Sequence, residues 1–479
     1  MKLRLVTLAA LLLGLGVWLS SAIAGTTHRA GARAPAMATP PATATATGMP
    51  PIRHVFIIVD ENESESTTFG PSSPAPYLAK TLPAEGAFLP NYYGIGHNSL
   101  DNYIAMLSGQ APNLDTREDC LFYNNVNPTT IGADGQVQGT GCVYPAGVPT
   151  IASQLTTAGL TWRDYNDSMG SDPSREAAAC GHPQLDTLDH TQAETATDQY
   201  AARHDPFVYF HSIIDNTALC DSHVVNLDLL SHDLASAADT PNYVFITPGL
   251  CNDGHDATCA NGGPGGLPQA NTFLQEWVPK IMSAPAFTQQ NGLLMVIFDE
   301  AAGSDASACC GEIPGPEASA PGGSGPGGGV TGAVLLSPCI APGTVSDEPY
   351  NHYTMLRSVE DIFGLAHLGY AQLPGERSFG SDVFTGKCAQ PPVERLKARA
   401  GPGRRVTLTW SAASPAVATS YEVEVSELRP HRTGWHVLAR ATRERSLRYT
   451  GRAGVTDRFR VRGTNLTGTG AWTTSTLRL

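Results

Sequence analysis

No Cys-x-x-Cys pair occurs anywhere in this chain of 479 residues, although it carries 10 cysteines. That absence argues against a thiolate metal cage, whose ligands come in such short pairs. No GKS or GKT follows the glycine-rich run 321–330, PGGSGPGGGV, which therefore reads as a flexible loop and not a phosphate-cradling one. Past the first two dozen residues, no stretch is apolar for long enough to span a membrane. Positive charge is scarce in the main body: residues 25–390 hold 12 Lys/Arg against 38 Asp/Glu. Such a body lacks the basic footprint of a nucleic-acid binder, and no nucleic-acid partner is expected.

The opening residues, MKLRLVTLAALLLGLGVWLSSAIA, have a basic start, an apolar run and Ala22-x-Ala24. They read as a secretory signal cut after Ala24, giving a secreted protein, extracellular or periplasmic, with no transmembrane segment in its mature form. An uncleaved membrane anchor is the competing reading. Residues 25–50 are Ala/Thr/Pro-rich without periodicity and read as a flexible leader. In an exported chain the cysteines default to disulfides. Cys120/Cys142 and Cys251/Cys259 each bracket a loop, while the adjacent Cys309 and Cys310 are expected to seek separate partners.

Length predicts two domains, one of them large. Residues 51–388 alternate apolar runs with helical periodicity, which argues an open α/β fold with a mostly parallel sheet. Helices are expected around 100–107, 150–158, 269–283 and 350–370; FVYF at 207–210 and NYVFITP at 242–248 read as buried strands. After about residue 389 the character changes. VTLTWSA, SYEVEVSEL, WHVLARA and DRFRVRGTN are short strands separated by turn signals, as in a small β-sandwich. This tail is basic, with 16 Lys/Arg against 6 Asp/Glu from residue 391 onward. It offers a peripheral contact with an anionic envelope or lipid surface, or is simply a solvated surface offsetting an acidic partner domain. Nothing in the sequence sets an oligomeric state.

Two apolar runs end in acids. HVFIIVDEN at 54–62 delivers Asp60, Glu61 and Asn62, and LLMVIFDE at 293–300 delivers Asp299 and Glu300. Strand ends on one rim of a parallel sheet are where open α/β folds present their chemistry. Gathered there, these carboxylates would repel one another unless a divalent cation joined them. Oxygen donors suit Ca²⁺, Mg²⁺ or Mn²⁺, and nearby histidines would favour Zn²⁺. Ser99 falls at the start of the helix LDNYIAML, a plain cap or a seat for a phosphate ester at free backbone N–H groups. His97, His255 and His352 are candidates for proton transfer or phosphoryl contact, each alternatively a structural histidine. Asp60 is a ligand or a support, Asp256 a second ligand or a partner orienting His255, and Asn102 with Asp101 lines the site or solvates the helix.

Together HVFIIVDEN, GIGHNSLDNYIAMLSGQAPN, LCNDGHDATC, VIFDEA and NHYTMLRSVEDIFGL resemble the bacterial phosphoesterase family over about 54–385. That family embraces secreted acid phosphatases and non-haemolytic-type phospholipases C, within the alkaline phosphatase-like superfamily. The resemblance implies a three-layer α/β sandwich. It also implies a metal held by a serine, a Glu-Asn pair and a late acidic pair, here Ser99, Glu61, Asn62, Asp299 and Glu300. Some relatives have Asp where this chain has Glu300. The activity implied is hydrolysis of a phosphate-ester substrate through a serine nucleophile and a phosphoseryl intermediate, acting on monoesters that include phosphorylated lipids. A phospholipase C-like phosphodiesterase and a catalytically inactive surface-binding protein are the alternatives. The tail is similar to a fibronectin type III domain through Trp410, Tyr421 and RFRVRGTNLTGTGAW, with Asp457 where that fold usually has tyrosine.

Overall fold

The computed structural model describes residues 49–386, 388, 395–411, 420–428, 434–465 and 468–479. The expected signal and nearly all of the expected leader lie outside the described residues.

The Val55–Asp60 run, buried along its whole length, forms the centre of an eight-stranded sheet. On one side it pairs in parallel with Tyr243–Thr247, followed by Trp162–Asn166 and Val224–Asn226, all parallel. On the other it pairs in parallel with Leu293–Phe298. Beyond that strand, Ala333–Leu336 is antiparallel, Ala87–Leu89 turns back again, and the short Thr344–Val345 closes the edge. One antiparallel strand in an otherwise parallel sheet is a common variation.

Strands covered on both faces need apolar residues at consecutive positions, which explains the unbroken runs. Alternate side chains sort into two cores. Val55, Ile57 and Val59 pack with the helices Ser99–Ser108, Ile151–Ala158 and His352–Phe363. Phe56 and Ile58 pack instead with Leu267, Phe273, Trp277 and Ile281 of Gly266–Ser283. The result is the expected three-layer arrangement. The His352–Phe363 helix starts at a capping box between Asn351 and Thr354 and stops at Gly364, which takes the left-handed conformation that favours glycine. Among the described residues no helix is long and apolar enough to cross a membrane.

Two expectations are corrected. FVYF is buried but is no strand: Pro206–Tyr209 forms a short 3-10 helix. Asp205 accepts the Phe207 N–H at 3.2 Å and Pro206 opens the turn, so local capping overrides β propensity. Cys309 and Cys310 pair with each other and not with separate partners. Disulfides join Cys120 to Cys142 and Cys251 to Cys259, the two bracketing pairs, and also Cys180 to Cys220.

In the tail, Arg395–Ala400, Arg405–Ser411 and Ser446–Thr450 form one antiparallel sheet. Ser420–Leu428, His436–Thr442, Thr456–Asn465 and Thr473–Arg478 form another. Val406, Leu408 and Trp410 from the first meet Tyr421, Val423, Phe459 and Val461 from the second in a separate core. Arg405–Ser411 alternates exposed and buried residues along its length, which is the pattern of a strand wet on one face.

Candidate active site

The register of the two central strands builds the site. Asp60 pairs with Phe298, so Glu61 and Asp299 leave the sheet side by side at its carboxyl edge. Asn62 turns the chain with φ 54°, and its N–H donates to Asp299 Oδ1 at 2.9 Å. The Glu300 N–H reaches the same oxygen at 2.6 Å. Asp299 Oδ2 has no N–H or O–H donor among the described residues.

Ser99, the first residue of its helix, is 3 % exposed and donates through Oγ to Glu61 Oε2 at 2.7 Å. Asn62 Nδ2 donates to that oxygen at 3.0 Å. Burial, followed by repulsion from Asp299, pushes the Glu61 carboxyl well above the usual carboxylate range. Glu300 accepts the Asn98 N–H at 3.0 Å and bonds His97 Nδ1. Thus Glu61, Asn62, Ser99, Asp299 and Glu300 lie together, drawn from two strand ends and one helix start.

The other candidates separate. His97 Nε2 faces the Asp305 carbonyl at 2.9 Å, and with Glu300 on its other side its pKa is raised. Both ring nitrogens thus face acceptors, an arrangement that favours the protonated ring beside Glu300. His352 is fully buried and uses both ring nitrogens: Nε2 donates to the Asp299 carbonyl at 2.6 Å, and Nδ1 accepts from Tyr92 Oη at 3.1 Å. Burial holds its pKa down to about 4. Having no nitrogen to offer a substrate, His352 positions the Asp299 backbone and does not transfer protons. Asn102 is likewise committed, accepting from the N–H groups of Ile95 and Gly96 and donating to the carbonyls of Gly96 and Asn98. It clamps the loop ahead of Ser99 and has no atom left for a metal. Asp256 is half-buried, and no side-chain hydrogen bond joins it to Glu61, Ser99, Asp299 or Glu300 among the described residues. His255 is exposed, and its backbone N–H donates to Asp253 Oδ1 at 3.0 Å.

Sequence reasoning passed over several residues. His204 is buried and stacks on Tyr103, ring centroids 5.2 Å apart. Its Nε2 lies 3.3 Å from Glu61 Oε1 and its Nδ1 3.9 Å from Asp253 Oδ2. Burial, with Arg203 and His255 adding to it, drives the His204 pKa well down and keeps the ring neutral. Asp253, rather than Asp256, is the acid of the CNDGHDATC loop that reaches the centre, and its carbonyl accepts the Glu61 N–H at 2.7 Å. Arg203 is 7 % exposed and paired with Asp119 at 3.8 Å. The helix start expected to seat a phosphate is already engaged at one N–H: Asp119 Oδ1 accepts the Leu100 N–H at 3.0 Å.

Do these residues fit a cation? Asp60 is fully buried with neither carboxylate oxygen hydrogen-bonded, and Asp253 Oδ2 is in the same state, among the described residues. Charged oxygens cannot persist so without a counter-charge. Oxygen donors dominate, which matches a hard divalent ion, and beside them both nitrogens of His204 are likewise buried without a hydrogen-bond partner among the described residues. Among the described residues no three His, Cys, Asp or Glu side chains converge as a finished metal cage. The fit therefore rests on donor chemistry and the unsatisfied oxygens.

The model of the Phosphoesterase family matches residues 73–366. A phosphatidylinositol-3-phosphatase of Mycobacterium tuberculosis is 25% identical over 328 residues, covering 68% of this chain and 82% of that protein. An acid phosphatase of Aspergillus fumigatus is 24% identical over 293 residues, 60% of this chain and 51% of that one, so the chain spans about half the length of that relative. A crystal structure of a protein in the alkaline phosphatase superfamily from Vibrio parahaemolyticus aligns over 77% of this chain and 79% of that one, with TM-score 0.39 and 10% identity.

Proposed function

The chain belongs to the Phosphoesterase family, and we propose from its site that it is a metal-dependent phosphatase whose nucleophile is Ser99. The observation that carries this reading is the Ser99–Glu61 contact of 2.7 Å, set between two acidic strand ends. An alcohol becomes a useful nucleophile only beside a group that takes its proton. Glu61, Asn62, Ser99, Asp299 and Glu300 would hold the divalent ion, with Asp60 and Asp253 behind them. When bound, such an ion stabilises the serine alkoxide and draws charge from the phosphoryl oxygens.

The chain's own residues supply the rest. Ser99 Oγ attacks phosphorus and its proton passes to Glu61 Oε2. Asn62 and Tyr103 hold that carboxylate in place. The ester oxygen leaves as the alcohol, taking a proton from exposed His255. Water then attacks the phosphoserine, giving its proton to His255, while Ser99 recovers its own from Glu61 and phosphate departs. His204 packs beside Glu61, its Nε2 3.3 Å from Oε1, and His97 pairs with Glu300.

The substrates proposed are phosphate monoesters, phosphoinositide headgroups among them. A monoester dianion gains more from a cation than a diester monoanion does, and the Mycobacterium tuberculosis relative is named for such a lipid. The disulfides support export into an oxidising compartment, where mature protein is expected to begin near Gly25. The two-sheet tail is proposed as a fibronectin type III-like accessory module.

The test is substrate trapping combined with a substrate panel. A rapidly quenched turnover is expected to leave phosphate on Ser99, and Ser99→Ala to lose about three orders of magnitude or more in kcat while keeping its fold. Label on another residue, or near-normal turnover by the alanine variant, would sink the nucleophile. A chromogenic monoester, a phosphoinositide and a choline phosphodiester, compared from about pH 4 to 9, decide the class. A higher kcat/KM for the diester than for every monoester reverses it.

A further inference from the structure

The helix bearing Ser99 begins without a cap of its own. Asn98, at the cap position, has φ 76° and makes no side-chain bond to the helix; its amide donates instead to the Arg117 carbonyl. An exposed run of N–H groups at a buried helix start must find acceptors from elsewhere. Asp119 provides one from across a loop, its Oδ1 accepting the Leu100 N–H at 3.0 Å.

Asp119 is itself held firmly. It follows the short 3-10 turn Thr116–Glu118 with φ 57°, and Cys120 beside it is tied to Cys142. Its carbonyl accepts from Gln192 Nε2 at 2.9 Å. The Gln192 carbonyl accepts from Arg203 at 2.6 Å, and Arg203 returns to the Asp119 carboxylate at 3.8 Å. The ring Asp119–Gln192–Arg203 is closed. A carboxylate at a helix N-terminus is favoured by the macrodipole, and Arg203 offsets its charge in a region already crowded with acids.

We propose that Asp119 is a positioning residue for Ser99: a cap supplied from outside the helix that fixes where the nucleophilic hydroxyl stands relative to Glu61. It touches no substrate. The inference rests on the phosphatase reading above, in which Ser99 is the nucleophile. Displacing a nucleophile by about 1 Å is enough to cost up to about 100-fold in rate. Asn at this position retains an oxygen able to accept the Leu100 N–H, whereas Ala does not.

The test compares Asp119→Ala and Asp119→Asn in the full oxidised chain, with turnover on a chromogenic monoester and hydrogen exchange at the Leu100 amide. Asp119→Ala is expected to lower kcat by about 10–100-fold with KM within about threefold, and to speed exchange at Leu100. Asp119→Asn is expected to recover most of the lost kcat and the slow exchange. Unchanged kcat or unchanged exchange in the alanine variant overturns the inference. So does a loss carried by KM, or an asparagine variant as impaired as alanine. If the alanine variant does not fold, Asp119→Glu replaces it: the longer side chain keeps the charge by Arg203 and misplaces the cap, and an unaltered kcat there overturns the proposal. A wild-type protein that turns over no monoester defeats the phosphatase reading instead, and the exchange measurement then decides the capping by itself.

Discussion

Tyr103 donates its hydroxyl to Glu61 Oε1 at 2.8 Å, one helical turn from Ser99, whose hydroxyl holds the other oxygen of the same carboxylate. Residues four apart share a helix face, so one helix grips both oxygens of an acid that belongs to the sheet. Tyr103→Phe is expected to leave Oε1 short of a donor. A missing donor to a buried charged group costs about 1–3 kcal/mol. Thermal unfolding should fall by a few degrees, and kcat on a monoester by about tenfold. An unchanged rate would show that Ser99 alone sets the carboxylate.

The metal proposal predicts a divalent ion at equimolar content or above in purified protein, and loss of activity on chelation. Glu61→Gln with Asp299→Asn together should abolish metal retention, read by elemental analysis. Full activity in metal-free protein, or undiminished metal in the double variant, refutes the centre.

Stability should favour acid. Burial raises the Asp205 carboxyl from 3.8 to about 7 and the Glu376 carboxyl from 4.5 to about 8. An acid whose folded pKa lies above its unfolded value binds more protons folded than unfolded, so its stabilising effect is whole below the unfolded pKa and lost as pH climbs to the folded one. The melting temperature is therefore expected to decline from about pH 4 towards pH 8. Glu376→Gln, which can still accept from Asn351 as Glu376 does at 3.2 Å, should flatten the upper part of that decline. A melting temperature that rises through this window contradicts the assignment.

Ending the chain after residue 388 should leave kcat on a small soluble ester within about twofold of the full-length value, since the tail has its own core. Collapse of turnover in a truncated protein that is still folded and metal-loaded would mean that the tail helps to build the site.

The two strand ends were legible because the long apolar run of a buried parallel strand breaks where it leaves the sheet; the acids at 60–61 and 299–300 mark that exit. Ser99 was legible as the start of a periodic helix. Asp119, Arg203 and His204 were not, for they reach the site through turns and a 3-10 segment that carry no period. FVYF illustrates the limit: four apolar residues fit a strand or a buried turn equally, and the capping by Asp205 and Pro206 decides between them. His352 misled in another way. A histidine at a helix start looks functional, and only the contacts to Tyr92 and Asp299 show both its nitrogens engaged. Asp256 and Asn102 were chosen by proximity in sequence, which does not say where a loop side chain is spent.

The bond between the Asn62 N–H and Asp299 spans 237 residues of chain. During synthesis, the first half of the site emerges long before the second. A nascent or truncated protein ending before residue 299 carries Glu61 and Ser99 and lacks the acids that complete them. On the proposed mechanism, hydrolytic competence arrives only when the central pair of strands zips together, and a chain ending before residue 299 is expected to hydrolyse no phosphate ester.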